Sequence, residues 1–525
     1  MFKVLIADAL SPAAVATFEE RGVAADVRTG LGEAELAAII GDYDGLAVRS
    51  ATKVTGGLLA AGTRLKVVGR AGIGVDNIDV DAATQRGVVV MNTPFGNSVT
   101  TAEHTIAMML ALARQLPAAD RSTRAGKWEK SRFVGTELAD KVLGLIGCGN
   151  IGSIVAERAH GLKMRVIASD PYLAPERAAD LGVEKVELDA LLARADVISL
   201  HTPLTETTRH ILDARALART KPGVRIINCA RGGLVDEDAL YDALRSGHVA
   251  GAALDVFAEE PARASPLFEL EQVVVTPHLG AATAEAQENV ALQIAAQMAD
   301  YLTSGAIANA LNMASVSAEE SPRLAPYMQL ADQLGSFAGQ LTETGLRAAT
   351  ITYAGQVAHL NTTPLTATVL RGLLAPVMAS VNMVNAPLVA RERDIAVTTI
   401  QQDQTDGYLT LIRLTVETER GPRSVAGTLF HERSARIVEI RGIEIEAQLG
   451  PHMLYVRNID RPGLIGALGQ LLGDAGVNIA TFHLGRERAG GDAIALIEVD
   501  QPVPDAILQA ICDLPHVVQC KALRF

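Results

Sequence analysis

Residues 141–152, KVLGLIGCGNIG, pass from an apolar strand directly into a glycine-rich turn and the first turn of a helix. Gly147 permits the tight turn, Gly149 lets backbone approach a pyrophosphate, and Gly152 lets the helix pack close to the strand. The opening helix offers unpaired N–H groups to phosphates. A second strand over 165–169 ends at Asp170, where a carboxylate meets the adenosine ribose hydroxyls and repels a 2′-phosphate. Strand, turn, helix, strand and acid in that order predict a dinucleotide site, with NAD favoured over NADP.

The same alternation extends in both directions. Short β-branched runs at 4–7, 25–28, 45–48 and 65–68 read as strands, with helices at 12–21 and 33–40 between them. After the glycine turn come strands at 197–200, 225–228, 251–253 and 273–276, closed by a helix over 285–302. This pattern predicts two doubly wound, Rossmann-like parallel sheets with right-handed crossovers. A long apolar-periodic helix is expected from about 99 to 125, between the sheets, and the closing helix is expected to pack back on the first sheet. Residues 303–325, rich in Ala, Ser and Asn, read as a linker. Beyond it the pattern becomes α+β: a helix near 323–340, a strand near 346–353, then several strands from 395 to 446 with Asp406-Gly407 as a hairpin signal. From residue 450 the order is βαββαβ, a ferredoxin-like plan. The expected division is 1–97 with 286–315 for substrate, 98–285 for NAD, 316–449 intervening, and 450–525 regulatory.

Two further clusters supply chemistry. Arg231 follows the strand at 225–228, at the carboxyl edge where open α/β sheets hold ligands. Its guanidinium matches the planar carboxylate of a 2-hydroxy or 2-keto acid with two parallel N–H bonds. His278 follows the strand at 273–276 on a proline-constrained turn, and imidazole exchanges a proton well near neutral pH. Glu260 precedes it in the chain and is expected to orient the ring and raise its pKa. His104 and His201 read as structural.

The net charge of −13 opposes nucleic acid or an anionic membrane as the main partner. The four cysteines, Cys148, Cys229, Cys512 and Cys520, form no CxxC pair and no zinc spacing, so no metal is expected. The start of the chain meets Asp8 before any apolar stretch long enough for a signal peptide, and the apolar stretch 105–113 falls short of the ~20 residues that span a bilayer. A cytoplasmic protein is expected.

NCARGG at 228–233, DVFAEEP at 255–261, PHLGA at 277–281, GRAGIGVDNID at 69–79 and NTPFGNSVTTAEHT at 92–105 resemble the D-isomer-specific 2-hydroxyacid dehydrogenases, most of all the branch acting on 3-phosphoglycerate. The resemblance implies NAD-dependent oxidation of 3-phospho-D-glycerate, the first step of the phosphorylated route to L-serine. It implies catalytic roles for Arg231, Glu260 and His278, and cofactor contacts at Asn150, Ile151, Asp170, Thr202, Cys229, Ala230, Asp255 and Gly280. The segment 69–77, with Gly72 and Ile73, would line the active site. A phosphate needs cations at the far end of the cleft; Arg49, Ser50, Lys53 and Arg70 are the candidates, with Asn97 as a further substrate contact. Residues 455–463 and 475–479 resemble an ACT domain, an amino-acid-sensing module. There Asn458, Asp460 and Asn478 are the candidate effector residues, serine the expected effector, and a homo-oligomer, dimer or tetramer, the expected assembly. Residues 317–450, with Val384-Asn385-Ala386-Pro387, resemble the intervening domain of long-form members. A glyoxylate, hydroxypyruvate or 2-oxoglutarate reductase, or a dinucleotide-gated interaction protein, are the alternatives.

Overall fold

The alternation at the N-terminus forms a five-stranded parallel sheet from β1 (Lys3–Ile6), β2 (Ala24–Val27), β3 (Gly45–Val48), β4 (Val67–Arg70) and β5 (Val89–Met91), in the order β2-β1-β3-β4-β5. The computed structural model describes every residue except 317, 318, 379 and 406. β3 and β5 are buried throughout, as apolar runs in a parallel sheet covered by helices must be. The fourth strand begins two residues later than the pattern at 65–68 suggests and ends on Arg70 itself. β5 is not evident from sequence, because a three-residue apolar run is too short to declare a period.

The helix expected over 99–125 is two helices, Ser98–Ala113 and Leu116–Arg124. Gln115 between them takes a left-handed backbone, φ 52°. Pro117 sits in the first turn of the second helix, where its missing N–H costs nothing, but it cannot continue the ladder of the first.

The second sheet holds β6 (Val142–Ile146), β7 (Arg165–Ser169), β8 (Glu184–Lys185), β9 (Val197–Leu200), β10 (Val224–Asn228), β11 (Val249–Leu254) and β12 (Val273–Val275). All pair in parallel, in the order β12-β11-β10-β9-β6-β7-β8. The order reverses between β6 and β9, and the crevice outside the carboxyl ends there is where such sheets bind ligands. The helix Ala284–Ser304 then returns to the first sheet. A side chain at Gly69 on β4 would collide with Ile294 and Met298 of that helix. Both are fully buried, each worth roughly 1.5–3 kcal/mol, so the lobe is sealed by chain that has already passed through its neighbour.

Of residues 303–325, those before 317 are not a free tether, and those from Ser321 open a helix. Ala310 bridges Met91, and the Asn312 side chain accepts from Val90 N–H at 2.9 Å and donates to Val88 C=O at 2.8 Å. Asparagine here caps a sheet edge, a use that composition cannot distinguish from a polar spacer.

The intervening region is a six-stranded mixed sheet of β13 (Leu346–Gly355), β14 (Ala396–Gln402), β15 (Thr410–Thr418), β16 (Gly421–Phe430), β17 (Ser434–Ile440) and β18 (Ile443–Ala447), in the order β14-β13-β15-β16-β17-β18. The hairpin signal at Asp406-Gly407 falls between β14 and β15, which do not pair with each other. Asp406 lies outside the described residues, and β14 pairs in parallel with β13 while β15 lies on the other side of β13. The Val384-Asn385-Ala386-Pro387 stretch docks on the first lobe. Asn385 Nδ2 donates to Gln85 C=O at 3.1 Å, and Asn382 Nδ2 to Gly87 C=O at 2.9 Å.

The C-terminal region follows the βαββαβ plan: β19 (His452–Ile459), β20 (Ile479–Arg486), β21 (Asp492–Val499) and β22 (Val517–Arg524) in the order β20-β21-β19-β22, all antiparallel, with helices Leu464–Asp474 and Asp505–Cys512. Among the described residues no helix is long and apolar enough to cross a membrane.

Candidate active site

The glycine turn after β6 has the shape a dinucleotide requires. Gly147 has φ 92°, and a Cβ there would stand 2.6 Å from the His201 carbonyl oxygen. A side chain on Gly152 would collide with the Gly147 carbonyl, so this glycine serves the turn more than the strand. Gly149 meets nothing within 4 Å and caps the helix Asn150–Gly161, leaving open space at its N-terminus. Asn150, Ile151 and Thr202 border that turn. Asp170, at the end of β7, is fixed from both sides, accepting from Cys148 N–H and Tyr172 N–H, each at 2.8 Å. Cys229 and Ala230 follow β10 on the neighbouring edge. Burial pushes the Cys229 thiol up to about 12, so it stays protonated.

His278 and Glu260 meet. The imidazole Nδ1 lies 2.7 Å from Glu260 Oε2, and Glu260 Oε1 accepts from Phe257 N–H at 3.1 Å. The Glu260 bond holds His278 above the ordinary imidazole range, against burial, which lowers it. Burial raises the Glu260 carboxyl, but the bonds from His278 and Phe257 N–H more than reverse this and leave it below the usual range. A carboxylate on Nδ1 fixes the proton there and leaves Nε2 free for substrate.

Arg231 reaches across to the first lobe. Its Nε donates to Asp76 at 3.1 Å, its Nη1 to the Ala230 carbonyl at 2.6 Å, and a side chain on Gly74 would collide with it. Arg231 is close enough to oppose protonation of His278. Arg70 lies near it: burial first, then the neighbouring Arg231 guanidinium, brings Arg70 down to about 10, still charged at neutral pH.

Arg70 Nε donates to the Arg49 carbonyl at 3.3 Å, which joins the two phosphate candidates. Ser50 and Lys53 lie exposed on the same loop. Gly72 has φ 153° and donates its N–H to Thr93 Oγ1 at 2.9 Å. Asn97, 9% exposed, has a buried Oδ1 with no hydrogen-bond partner.

Two acids that pattern reading passes over organise this lobe. Asp8 accepts Arg49 N–H at 2.6 Å, Thr52 N–H at 3.2 Å and the Thr52 hydroxyl at 2.6 Å, and so shapes the 49–53 loop. Asp76 holds Arg231. Neither carries a spacing signal, because each acts on a residue distant in sequence. In the C-terminal region the three effector candidates have separate surroundings. Asp460 accepts from Gly490 N–H at 3.2 Å and Arg486 at 3.1 Å, and both bonds hold its carboxyl below the usual range. Asn478 donates to Asp500 at 2.8 Å. Asn458 is 3% exposed with an unpartnered Oδ1.

Residues 106–280 match the NAD binding domain of the D-isomer specific 2-hydroxyacid dehydrogenases, 323–441 the D-3-phosphoglycerate dehydrogenase intervening domain, and 452–516 the ACT domain. The chain is 41% identical to D-3-phosphoglycerate dehydrogenase of Bacillus subtilis over 100% of its own length and 99% of that protein's. The chain belongs to the D-3-phosphoglycerate dehydrogenase family. Against the enzyme of that name from Synechocystis the identity is 42%, over 97% of this chain and 92% of the relative. Solved structures match somewhat over half of the chain. TT0316 protein from Thermus thermophilus is 35% identical over 59% of this chain and 100% of its own, with TM-score 0.55. D-lactate dehydrogenase from Aquifex aeolicus, complexed with NAD and lactic acid, is 29% identical over 57% and 95%, with TM-score 0.50.

Proposed function

We propose that this chain oxidises 3-phospho-D-glycerate to 3-phosphooxypyruvate with NAD, at the head of a route to L-serine. The observation that carries this reading is the gathering of Arg231 and the Glu260–His278 pair on one lobe against Arg49 and Arg70 on the other. Arg231 takes the substrate carboxylate, His278 Nε2 removes the hydroxyl proton, and Glu260 stabilises the imidazolium that results. NAD, when bound, accepts the hydride. The open space at Gly149 and the fixed carboxylate of Asp170 fit its pyrophosphate and ribose, and Asp170 disfavours the 2′-phosphate of NADP. The division at residues 97/98, 285/286, 315/316 and 449/450 is part of this reading, as are a homo-oligomer and a cytoplasmic location.

A panel of hydroxy acids tests it. NADH formation is expected with 3-phosphoglycerate well above that with glycerate or lactate; equal rates would overturn the choice, and no turnover at all would favour an interaction protein. For phosphate, Arg49→Ala is expected to raise KM for 3-phosphoglycerate about 10- to 100-fold, the loss of a charge-assisted bond, and to leave an unphosphorylated acid nearly unaffected. Equal effects on both would remove Arg49 from the phosphate site.

Feedback by serine is supported by the unpartnered Asn458 Oδ1 on the strand that precedes Gly463, and by the helix N-terminus that Gly463 caps, which suits a carboxylate. Serine titrated into the assay is expected to lower the rate, and Asp460→Ala to blunt that response while preserving the basal rate. A rate indifferent to serine would leave Asp460 and Asn478 as structural residues.

A further inference from the structure

His278 sits on a strained turn. Its φ is 54°, a left-handed backbone that costs a residue with a Cβ roughly 1–2 kcal/mol. Something must hold it there, and Glu260 touches only the ring. The backbone is held by Asp255, which is fully buried. The Asp255 carbonyl accepts His278 N–H at 2.8 Å. Its carboxylate accepts Leu279 N–H at 2.7 Å and the Thr276 hydroxyl at 2.6 Å on Oδ1, and Gly280 N–H at 2.9 Å on Oδ2. One carboxylate thus binds the chain on both sides of His278.

Donors on both oxygens make such a buried carboxylate tolerable. A further contact reaches it from the helix Ser98–Ala113. His104 Nε2 stands 3.2 Å from Asp255 Oδ1 and 3.2 Å from Thr276 Oγ1. One turn earlier on the same face, Thr101 donates its hydroxyl to Gly280 C=O at 3.0 Å. Thr101 and His104 together grip the two ends of the 276–280 turn.

We propose that His104 is a positioning residue, which holds the His278 turn in its active geometry through the buried carboxylate of Asp255. The inference rests on the reading of His278 as the acid–base group. It also explains a cluster that could be mistaken for a metal site: ligand atoms of His104, Cys229 and Asp255 lie within 4.8 Å of one another. The Asp255 oxygens already accept N–H and O–H donors, and the Cys229 thiol is held protonated by burial, so the arrangement is a hydrogen-bond network.

The test uses the full-length enzyme with His104→Ala, His104→Gln and His278→Ala. Loosening the turn withdraws His278 from Glu260. His104→Ala is therefore expected to lower kcat about 10- to 100-fold, the cost of a misplacement near 1 Å, with KM for 3-phosphoglycerate little changed. It is also expected to move the acid limb of the kcat pH profile for oxidation downward, since His278 loses the carboxylate that raises it. The charged groups facing His278 are Glu260, Asp255 and Arg231, and those facing His104 are Asp255 and the Cys229 thiol. His104→Gln, whose amide can still donate to Asp255, is expected to recover most of kcat and the pH limb. The proposal is overturned if His104→Ala keeps the wild-type kcat and limb while only Tm falls, or if His104→Gln, folded, behaves as badly as alanine. His278→Ala separates the two levels: activity retained there defeats the acid–base reading itself, whereas its loss beside a silent His104→Ala defeats only the positioning role.

Discussion

Replacing Arg231 with alanine is expected to lower kcat/KM for 3-phosphoglycerate about 10³-fold. Two charge-assisted hydrogen bonds to a carboxylate contribute roughly 1.5–3 kcal/mol each, and every 1.36 kcal/mol is tenfold in rate. Both bonds exist only if the guanidinium is aimed, and the aim is visible. Nε is tied to Asp76 on the opposite lobe and Nη1 to the Ala230 carbonyl, which confines the planar head to one orientation against Gly74. Lysine at this position keeps the charge but cannot present two parallel donors, so Arg231→Lys should recover only a small part of the loss. Steady-state rates for wild type and both variants check this. A loss below about tenfold for alanine would place the substrate carboxylate elsewhere.

The second large effect concerns proton transfer. His278→Ala is expected to lower kcat about 10²- to 10⁴-fold, the usual worth of a positioned acid–base group, while NAD affinity measured by protein fluorescence stays near that of wild type. Glu260→Gln adds a signature in pH. In oxidation the imidazole must be neutral to take the hydroxyl proton, so the rate falls as pH drops through the His278 pKa, which Glu260 holds above the ordinary range. Without the carboxylate that pKa falls, so the acid limb moves to lower pH even as kcat decreases through lost orientation. In the reductive direction the protonated ring is required, and the alkaline limb should move down as well. For stability the same raised pKa acts with the opposite sense. While Glu260 stays ionised, the imidazole's contribution is fully present below its unfolded pKa and is lost as pH rises through the folded one. A pH limb indifferent to Glu260→Gln would mean that the 2.7 Å contact does not govern the proton.

The features legible in sequence are those with local causes. The glycine turn at 147–152 and Asp170 declare themselves because strand, turn and acid are fixed by spacing along one βαβ unit. Arg231 and His278 are legible because each ends a strand whose apolar run marks its direction. The βαββαβ order from residue 452 follows from alternating short elements with turn residues between them. Features with distant causes stay hidden. Asp8 and Asp76 look like any surface acids, because the loops they hold lie about 41 and 155 residues away. The break at Gln115 is a single left-handed residue inside an otherwise helical pattern, and only Pro117 hints at it. The strand order of the intervening sheet stays hidden because turn chemistry reports a reversal of chain direction but not which strand becomes the neighbour. His104 reads as structural by its place near the end of an element, and its position is also what lets it reach Asp255.

The most direct test of the account is a crystal structure of the enzyme with NAD and 3-phosphoglycerate bound together. The substrate carboxylate is expected to pair with the Arg231 guanidinium, the C2 oxygen to lie within hydrogen-bond distance of His278 Nε2, and the phosphate to lie against Arg49 and Arg70. A substrate bound with its carboxylate away from Arg231, or with its C2 oxygen out of reach of His278, would contradict it.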